Sequence, residues 1–466
     1  MAPYYESING MLKAPLSILE LVKSKHPEIL HGALGGIDDI YQYFKSYKQN
    51  WKNNPVYIAK VDVANCFDTI NTHKLKEIIK EILQWKEWDD YNITGYSAIS
   101  STLGQPTISH KSRAHEYFPQ FPEFAEYLSQ TSKNTIFCDR VFHSKITVKE
   151  VLDLINEHLC ENKIKIGGEV YKQTVGIPQG SCLSSILCSY YYADMKQKEL
   201  SFVDDDENGM LLYYVDDFFY ISTSKMYVKR FLEIMHTGIR KYGCSINKEK
   251  SLVNFDIHIN GAKVPKVRSS YFSWCGLKIH IKTLDVMADY SVWRGNYVGD
   301  AITAGNACPG EALIYRMFDL LKHKYHAIFI DPGLNSTHTI LRNVYQNFLL
   351  CAMKFYCHVA ALHRKNEDFL MGIIFAILNF GYSRLQSRYT KLQIPKNRCD
   401  ITKNHVIWLG AHAFYIVLLK KQTGFSTILR VLEQTLLDNT RFEHIRKQVA
   451  AVVERRLNMD FDDILF

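Results

Sequence analysis

Apolar positions along the chain fall into two regimes. Up to about residue 290, helical spacings alternate with short β-prone runs; beyond Tyr290 strand signals almost vanish and helical periodicities run to Phe466. Within residues 1–55 helical spacing recurs in Leu12, Pro15, Leu16, Ile18, Leu19 and Leu21, then in Ile37, Ile40, Tyr41, Phe44 and Tyr47, with a Gly-rich break over 31–36. Asn53, Asn54 and Pro55 close this region, and the apolar run 56–63 predicts a buried strand. A helix is predicted over 72–85, whereas 86–165 is less regular and predicts two or three helices with few strands. Gly167-Gly168 between alternating segments predicts a hairpin over 164–174. Then follow a helix over 183–200, a strand–turn–strand over 210–222, an amphipathic helix over 225–242 stopped by Gly243, and β structure over 271–281. The pattern predicts an α+β chain: a mixed domain, then an all-α one, with the border near residue 290. No internal repeat or low-complexity tract interrupts it.

Composition adjusts this picture little. The chain has 466 residues, too many for one ordinary core, so two or three domains are expected. Hydrophobic residues make up 47% and charged residues 22%, which argues against large-scale disorder. The net charge of +8 suits a groove that holds a polyanion, although many proteins with no nucleic-acid partner are as basic. Eleven cysteines show no Cys-x-x-Cys spacing; Cys66, Cys182, Cys188, Cys244, Cys275, Cys351 and Cys357 sit among apolar neighbours, as reduced thiols do. No signal peptide is evident and no apolar run reads as long enough to span a bilayer, so no membrane partner is expected.

The candidate chemistry lies in three short segments. In Tyr213-Tyr214-Val215-Asp216-Asp217-Phe218-Phe219-Tyr220-Ile221 two adjacent aspartates interrupt an apolar, aromatic run. On a straight strand one carboxylate would enter an apolar layer, at high cost. A tight turn would present both at the sheet edge, where a divalent cation could compensate their charge; an ordinary surface hairpin fits the same residues. Asp62, in the apolar strand that precedes Val63, would bring a third carboxylate to an oxygen-rich site suited to two Mg²⁺ ions, or would simply end a strand. Asp68 reads as a capping or turn residue. In Gly176-Ile177-Pro178-Gln179-Gly180-Ser181 the glycines allow close backbone approach, Gln179 offers donor and acceptor, and Ser181 can cap the next helix. A capped helix after an ordinary loop is the plain alternative.

Taken in order, these segments resemble motifs A, B and C of reverse transcriptases. Gly243-Cys244-Ser245-Ile246-Asn247-Lys248-Glu249-Lys250 resembles the next motif, and Trp274-Cys275-Gly276-Leu277 the primer-grip hairpin. Lys60-Val61-Asp62-Val63, Phe67-Asp68-Thr69-Ile70 and Val253-Asn254-Phe255 are similar to the forms found in the telomerase reverse transcriptase family. So is the wide spacing between Asp68 and Gly176, where that family carries a helical insertion in its fingers, placed here at about 75–160. The helical tail from 291, with 343–350 and 461–465 in it, resembles that family's C-terminal extension, the thumb.

The resemblance implies a right-hand polymerase: a fingers remnant over 1–55, a palm over 56–290 and an all-α thumb over 291–466. It implies RNA-templated DNA synthesis, with Asp62, Asp216 and Asp217 binding two Mg²⁺ ions and Lys250 giving a proton to the leaving pyrophosphate. Val63, Phe67 (as steric gate), Gln179 and Gly180 would meet the nucleotide, and Trp274, Cys275 and Gly276 the primer end. Read alone, Phe67 and Trp274 also fit a core, and Lys250 a solvated surface. Basic thumb positions Lys391, Lys396, Arg398, Lys403, Arg446, Lys447, Arg455 and Arg456 could follow a hybrid backbone or form solvated faces. The implied partners are a telomerase RNA template, single-stranded telomeric DNA, dNTPs and telomere-associated proteins, at telomeres in the nucleus. The family's N-terminal DNA-anchoring and RNA-binding domains and two fingers motifs have no counterpart, so a fragment, an incomplete gene model or a truncated member is expected. A retroelement polymerase and a non-catalytic nucleic-acid-binding derivative are the alternatives.

Overall fold

The computed structural model describes residues 7–84, 90–102, 105–132, 134–302, 309–360, 366–395, 398 and 400–466. The chain forms two compact units. One joins the described residues up to Gly35 with Pro55–Arg268; the other joins Gly36–Asn54 with Ser269–Phe466. The division therefore falls earlier than residue 290, and the segment 36–54 leaves the N-terminal region for the later unit.

The first unit is built on a four-stranded antiparallel sheet in the order Gly209–Tyr214, Asp217–Ser222, Tyr57–Asp62, Leu252–Val253. Ile58, Ala59 and Val61 of the Tyr57–Asp62 strand are buried, as are Leu212, Tyr213 and Phe218–Ile221 of the hairpin beside it. The Ser184–Glu199 helix turns Tyr192 edge-on to Phe218, ring centroids 5.7 Å apart, and buries Leu187, Cys188, Tyr190, Tyr191 and Met195. The Lys225–Thr237 helix adds Val228, Phe231, Leu232 and Met235. It stops at Gly238, at φ +83°, earlier than the predicted Gly243; residues 240–242 form only a 3₁₀ turn. The helix Thr72–Gln84 agrees with its prediction, with Trp85 outside the described residues. The hairpin Lys163–Ile166/Glu169–Lys172 likewise follows its glycine pair.

The region 75–160 corrects the expectation of a helical insertion. Three long strands, Gln105–His115, Asp90–Thr102 and Thr135–Thr147, form a sheet in that order, accompanied by the helices Phe121–Thr131 and Val148–Cys160. The central strand is buried on both faces from Tyr91 to Ala98, so polar Asn92, Thr94 and Ser97 lie inside beside Tyr91 and Ile93. An irregularity at Gly95/Tyr96 also shifts its pairing register. The shift breaks the period-two alternation into two short runs, Tyr91–Thr94 and Tyr96–Ala98, too short to read as one long strand.

In the second unit Tyr271–Trp274, Leu277–His280 and Val286–Ala288 make a small antiparallel sheet. Six long helices follow among the described residues, Pro309–Lys324, Thr337–Ala360, Glu367–Lys391, Lys403–Leu419, Ser426–Leu437 and Asn439–Val453, with the short helix Ala327–Ile330 between the first two. This all-α part is as the sequence predicts. Thr337–Ala360 is buried almost throughout, and its Asn343 donates to the carbonyls of Val286 (3.0 Å) and Phe329 (2.9 Å). Glu367–Lys391 is long and apolar enough to cross a membrane, contrary to the sequence reading, with mean hydropathy 1.3 over its best window. Its Leu370, Ile373, Ile374, Ile377 and Leu378 are buried within the helical unit.

The helix Ile37–Asn50 joins this unit through buried charge. Lys48 donates to Asp285 Oδ1 (2.7 Å), and Asp285 Oδ2 accepts from the Ser336 and Thr339 hydroxyls (2.6 and 2.7 Å). Burial works to raise the Asp285 carboxyl, but the bonds from Lys48, Ser336 and Thr339 override it and hold the group below the usual carboxylate range. A lowered folded pKa adds stability above the unfolded value and loses it as acid titrates the folded group. Asp285→Ala, which strands the Lys48 ammonium, is expected to cost about 3 kcal/mol at neutral pH in a denaturant melt. The deficit should shrink toward pH 3; an unchanged melting midpoint would refute this anchoring role.

Candidate active site

Three chain segments meet at the end of the Tyr57–Asp62 strand. Val63 N–H donates to the Asp216 carbonyl (2.9 Å), Asn247 N–H to the Asp62 carbonyl (2.8 Å) and Ala64 N–H to the Ser245 carbonyl (2.8 Å). The strand end, the aspartate turn and the 243–250 loop are thus stitched together by backbone hydrogen bonds. The turn has two central residues, Val215 and Asp216, closed by the Tyr214–Asp217 pair. Val215 has φ +57°. A β-branched residue there is strained by about 1–3 kcal/mol, a cost that surrounding structure must hold and that clusters at functional sites.

Past Ala64, Asn65 takes φ +49° and opens the short helix Cys66–Thr69, which carries Phe67 and Asp68. The 176–181 loop lies against it: Gly176 N–H donates to Ile70 O (3.1 Å) and Ile177 N–H to Phe67 O (2.7 Å). Ser181 accepts from Leu183 N–H (3.2 Å), in the turn before the Ser184–Glu199 helix rather than at its cap. Gly243 is needed for close approach rather than as a helix stop: a Cβ there would lie 2.5 Å from Thr69 O.

These segments enclose an open cavity of about 430 Å³ lined by Asp62, Val63, Asn65, Phe67, Asp68, Gln179, Asp216, Asn247 and Lys250, among others. The structure therefore brings together Asp62, Val63, Phe67, Gln179, Asp216 and Lys250, six positions named from sequence. Asn65 and Asn247 were missed; each is a short polar residue in a turn, the type that tolerates left-handed backbone or bonds it locally. Asp68, read as a cap, instead accepts from the Gln179 amide. Gly180 and Asp217 are not among the residues lining the cavity. Trp274, Cys275 and Gly276 belong to the second unit. Trp274 is 1% exposed, so its indole is a core group, while Cys275 and Gly276 form the tight turn after it at φ +46° and +71°. Among the thumb's basic positions, Lys396 lies outside the described residues, and Arg455, Arg456 and Lys447 are ion-paired with Asp462, Glu454 and Glu443.

The electrostatics are those of crowded carboxylates. Burial, and then the charges of Asp62 and Asp217, raise the Asp216 carboxyl, opposed by a backbone hydrogen bond and by Lys250. Lys250 Nζ donates to Asp62 Oδ2 (3.0 Å), which holds its ammonium charged, and Lys60 pairs with Asp217 Oδ1 at 3.1 Å. Among the described residues no group of three or more His, Cys, Asp or Glu side chains is gathered to hold a metal ion. Asp217 lies opposite Asp62 in the strand pairing and is ion-paired with Lys60. Asp62 and Asp216, both lining the cavity, do fit a hard cation that takes one or two protein carboxylates and fills its remaining positions with substrate phosphates and water.

Asp62 at a strand end and Asp216 in the neighbouring turn thus share one cavity with Lys250 and Phe67. The family model for reverse transcriptases (RNA-dependent DNA polymerases) matches residues 74–279, a stretch that begins after Asp62. Such enzymes generally use divalent metal ions. The model for the telomerase reverse transcriptase C-terminal extension matches residues 311–433. Telomerase reverse transcriptase of Rattus norvegicus is 28% identical over 480 residues, covering 97% of this chain and 42% of the rat protein. That of Arabidopsis thaliana is 24% identical, covering 94% and 42%. In fold, the chain resembles a telomerase from Candida albicans solved in complex with a fragment of telomeric RNA, with a TM-score of 0.60 at 14% identity, over 93% of this chain and 59% of that one. Over nearly its whole length the chain is similar to telomerase reverse transcriptases. It spans about two fifths of the length of the curated relatives it matches.

Proposed function

We propose that this chain is the catalytic part of a telomerase, an RNA-directed DNA polymerase that extends chromosome 3′ ends by copying a short RNA template. The observation that carries the reading is the convergence of Asp62, Asp216, Phe67, Gln179 and Lys250 on one cavity. Its substrates are dNTPs and a single-stranded telomeric DNA primer. Its partners are the template RNA and telomere-associated proteins, and its place is the telomere in the nucleus.

Asp62 and Asp216 would hold the metal, with Asp217, opposite Asp62, as a further ligand. Two Mg²⁺ ions, when bound, make the primer 3′-hydroxyl a better nucleophile and offset charge on the leaving pyrophosphate. The side chains supply the rest. Lys250, kept protonated by Asp62, donates its proton to the pyrophosphate oxygen as that bond breaks. The Phe67 ring would exclude a ribose 2′-hydroxyl, Val63 would border the same nucleotide, and Gln179 and Gly180 would lie against the nascent base pair. The Cys275-Gly276 turn, half-buried at Cys275 and exposed at Gly276, would support the primer end.

The test is single-nucleotide addition by the purified chain on an RNA–DNA hybrid with Mg²⁺. Addition that EDTA stops is the expected result. Processive copying of any long RNA would indicate a retroelement-type enzyme, and Mg²⁺ and hybrid binding without addition a non-catalytic derivative.

A further inference from the structure

A side-chain amide has a donor end and an acceptor end, and which end meets a ligand depends on what holds the other. Gln179 Nε2 lies 3.1 Å from Asp68 Oδ1, across 111 residues of sequence. A carboxylate accepts and does not donate, so the amide nitrogen must face Asp68; this assignment follows from chemistry rather than from the ambiguity of amide orientation. Both residues line the cavity, and both are exposed. An exposed glutamine without such a bond would lose rotamer freedom each time a nucleotide bound.

The backbone fixes the height at which the two meet. Ile177 N–H is bonded to Phe67 O, and Gly176 lies on Asp68 so closely that a Cβ would come 2.7 Å from the Asp68 Cα. Only Pro178 separates this anchored pair from Gln179. We propose that Asp68 is a positioning residue: it fixes the Gln179 amide so that its carbonyl oxygen faces the incoming nucleotide and accepts from a hydroxyl or amino donor on it. The inference rests on the polymerase reading above. It explains why an acidic residue follows Phe67 in a turn that it does not cap.

The test is a double-mutant cycle in single-nucleotide addition, with kcat and KM for dNTP measured for the parent, Asp68→Ala, Asp68→Asn, Gln179→Ala and the double alanine variant. Asp68→Ala and Gln179→Ala should each raise KM about five- to tenfold with kcat within about twofold, as for a lost charge-assisted bond. The double variant should be no worse than Gln179→Ala, because each change removes the same bond. Asp68→Asn, which keeps an acceptor oxygen, should restore KM to within about twofold of the parent. A merely structural role would predict no such rescue. Parent-like kinetics in Asp68→Ala, additive effects in the double variant, or Asp68→Asn as impaired as Asp68→Ala would each overturn the inference while the polymerase reading stands. Absence of addition by the parent itself would overturn that reading, and this inference with it.

Discussion

Asp216→Ala is expected to lower nucleotide addition by at least about a thousandfold while leaving the metal-free protein no less stable than the parent. The two outcomes share one cause. Asp216 is pressed by burial and by Asp62 and Asp217, so its carboxyl is raised in the folded chain. A carboxyl raised on folding favours the folded state at low pH, and that contribution is lost as pH rises through the folded value. At neutral pH the ionised group therefore opposes folding. Removing it takes away the repulsion together with the oxygen donor, so the chemistry disappears and the melting temperature in EDTA holds or rises. Single-turnover addition and thermal melting at pH 7–8 read both quantities. Retained addition would show that Asp216 holds no essential ion; a marked loss of stability would show that it is a structural group. Few structural substitutions predict opposite directions for activity and stability, which makes this a sharp test of a functional site.

Much of this site is legible in the sequence because its physics is local. The aspartate turn is flanked by apolar runs on both sides, and two adjacent carboxylates fit such a run only at a turn, which Val215 and Asp216 form. Asp62 shares that logic at the other strand's end. What escapes reading is decided across long separations. Nothing local to Asp68 distinguishes a cap from a residue that holds a glutamine 111 positions away. Likewise the helix Ile37–Asn50 looks like part of an N-terminal helical region, yet Lys48 meets Asp285 across 237 residues, which binds it to the later unit. The strands of the 75–160 region are hidden for another reason. Its central strand is covered on both faces from Tyr91 to Ala98 and carries polar residues inward, and its alternation breaks at Gly95. Trp274 shows the converse case: a residue that a motif suggests for primer contact has its indole in the core, and only the turn after it is exposed.

Gly176→Ala is expected to cost about 2–3 kcal/mol in stability and at least about a hundredfold in kcat/KM. Gly176 takes φ +79°, and a Cβ there would lie 2.5 Å from Phe67 O and 2.7 Å from the Asp68 Cα. The obstructing atoms are backbone, so no side-chain rotation relieves the overlap. The loop must lift away, which stretches the bonds from Gly176 and Ile177 to the 67–70 segment and separates Gln179 from Asp68. Misplacement by about 1 Å at a reacting centre is enough for a loss of this order. Gly180→Ala supplies the comparison. Gly180 has nearly the same φ, +81°, but nothing lies within 4 Å of its missing Cβ. That substitution carries only the left-handed backbone cost, about 1–2 kcal/mol, without the clash. The Gly176 variant should therefore melt below the Gly180 variant. Equal losses in the two would place the whole effect in backbone conformation and dismiss the close approach of the 176–181 loop to Phe67 and Asp68 as the feature that assembles the site.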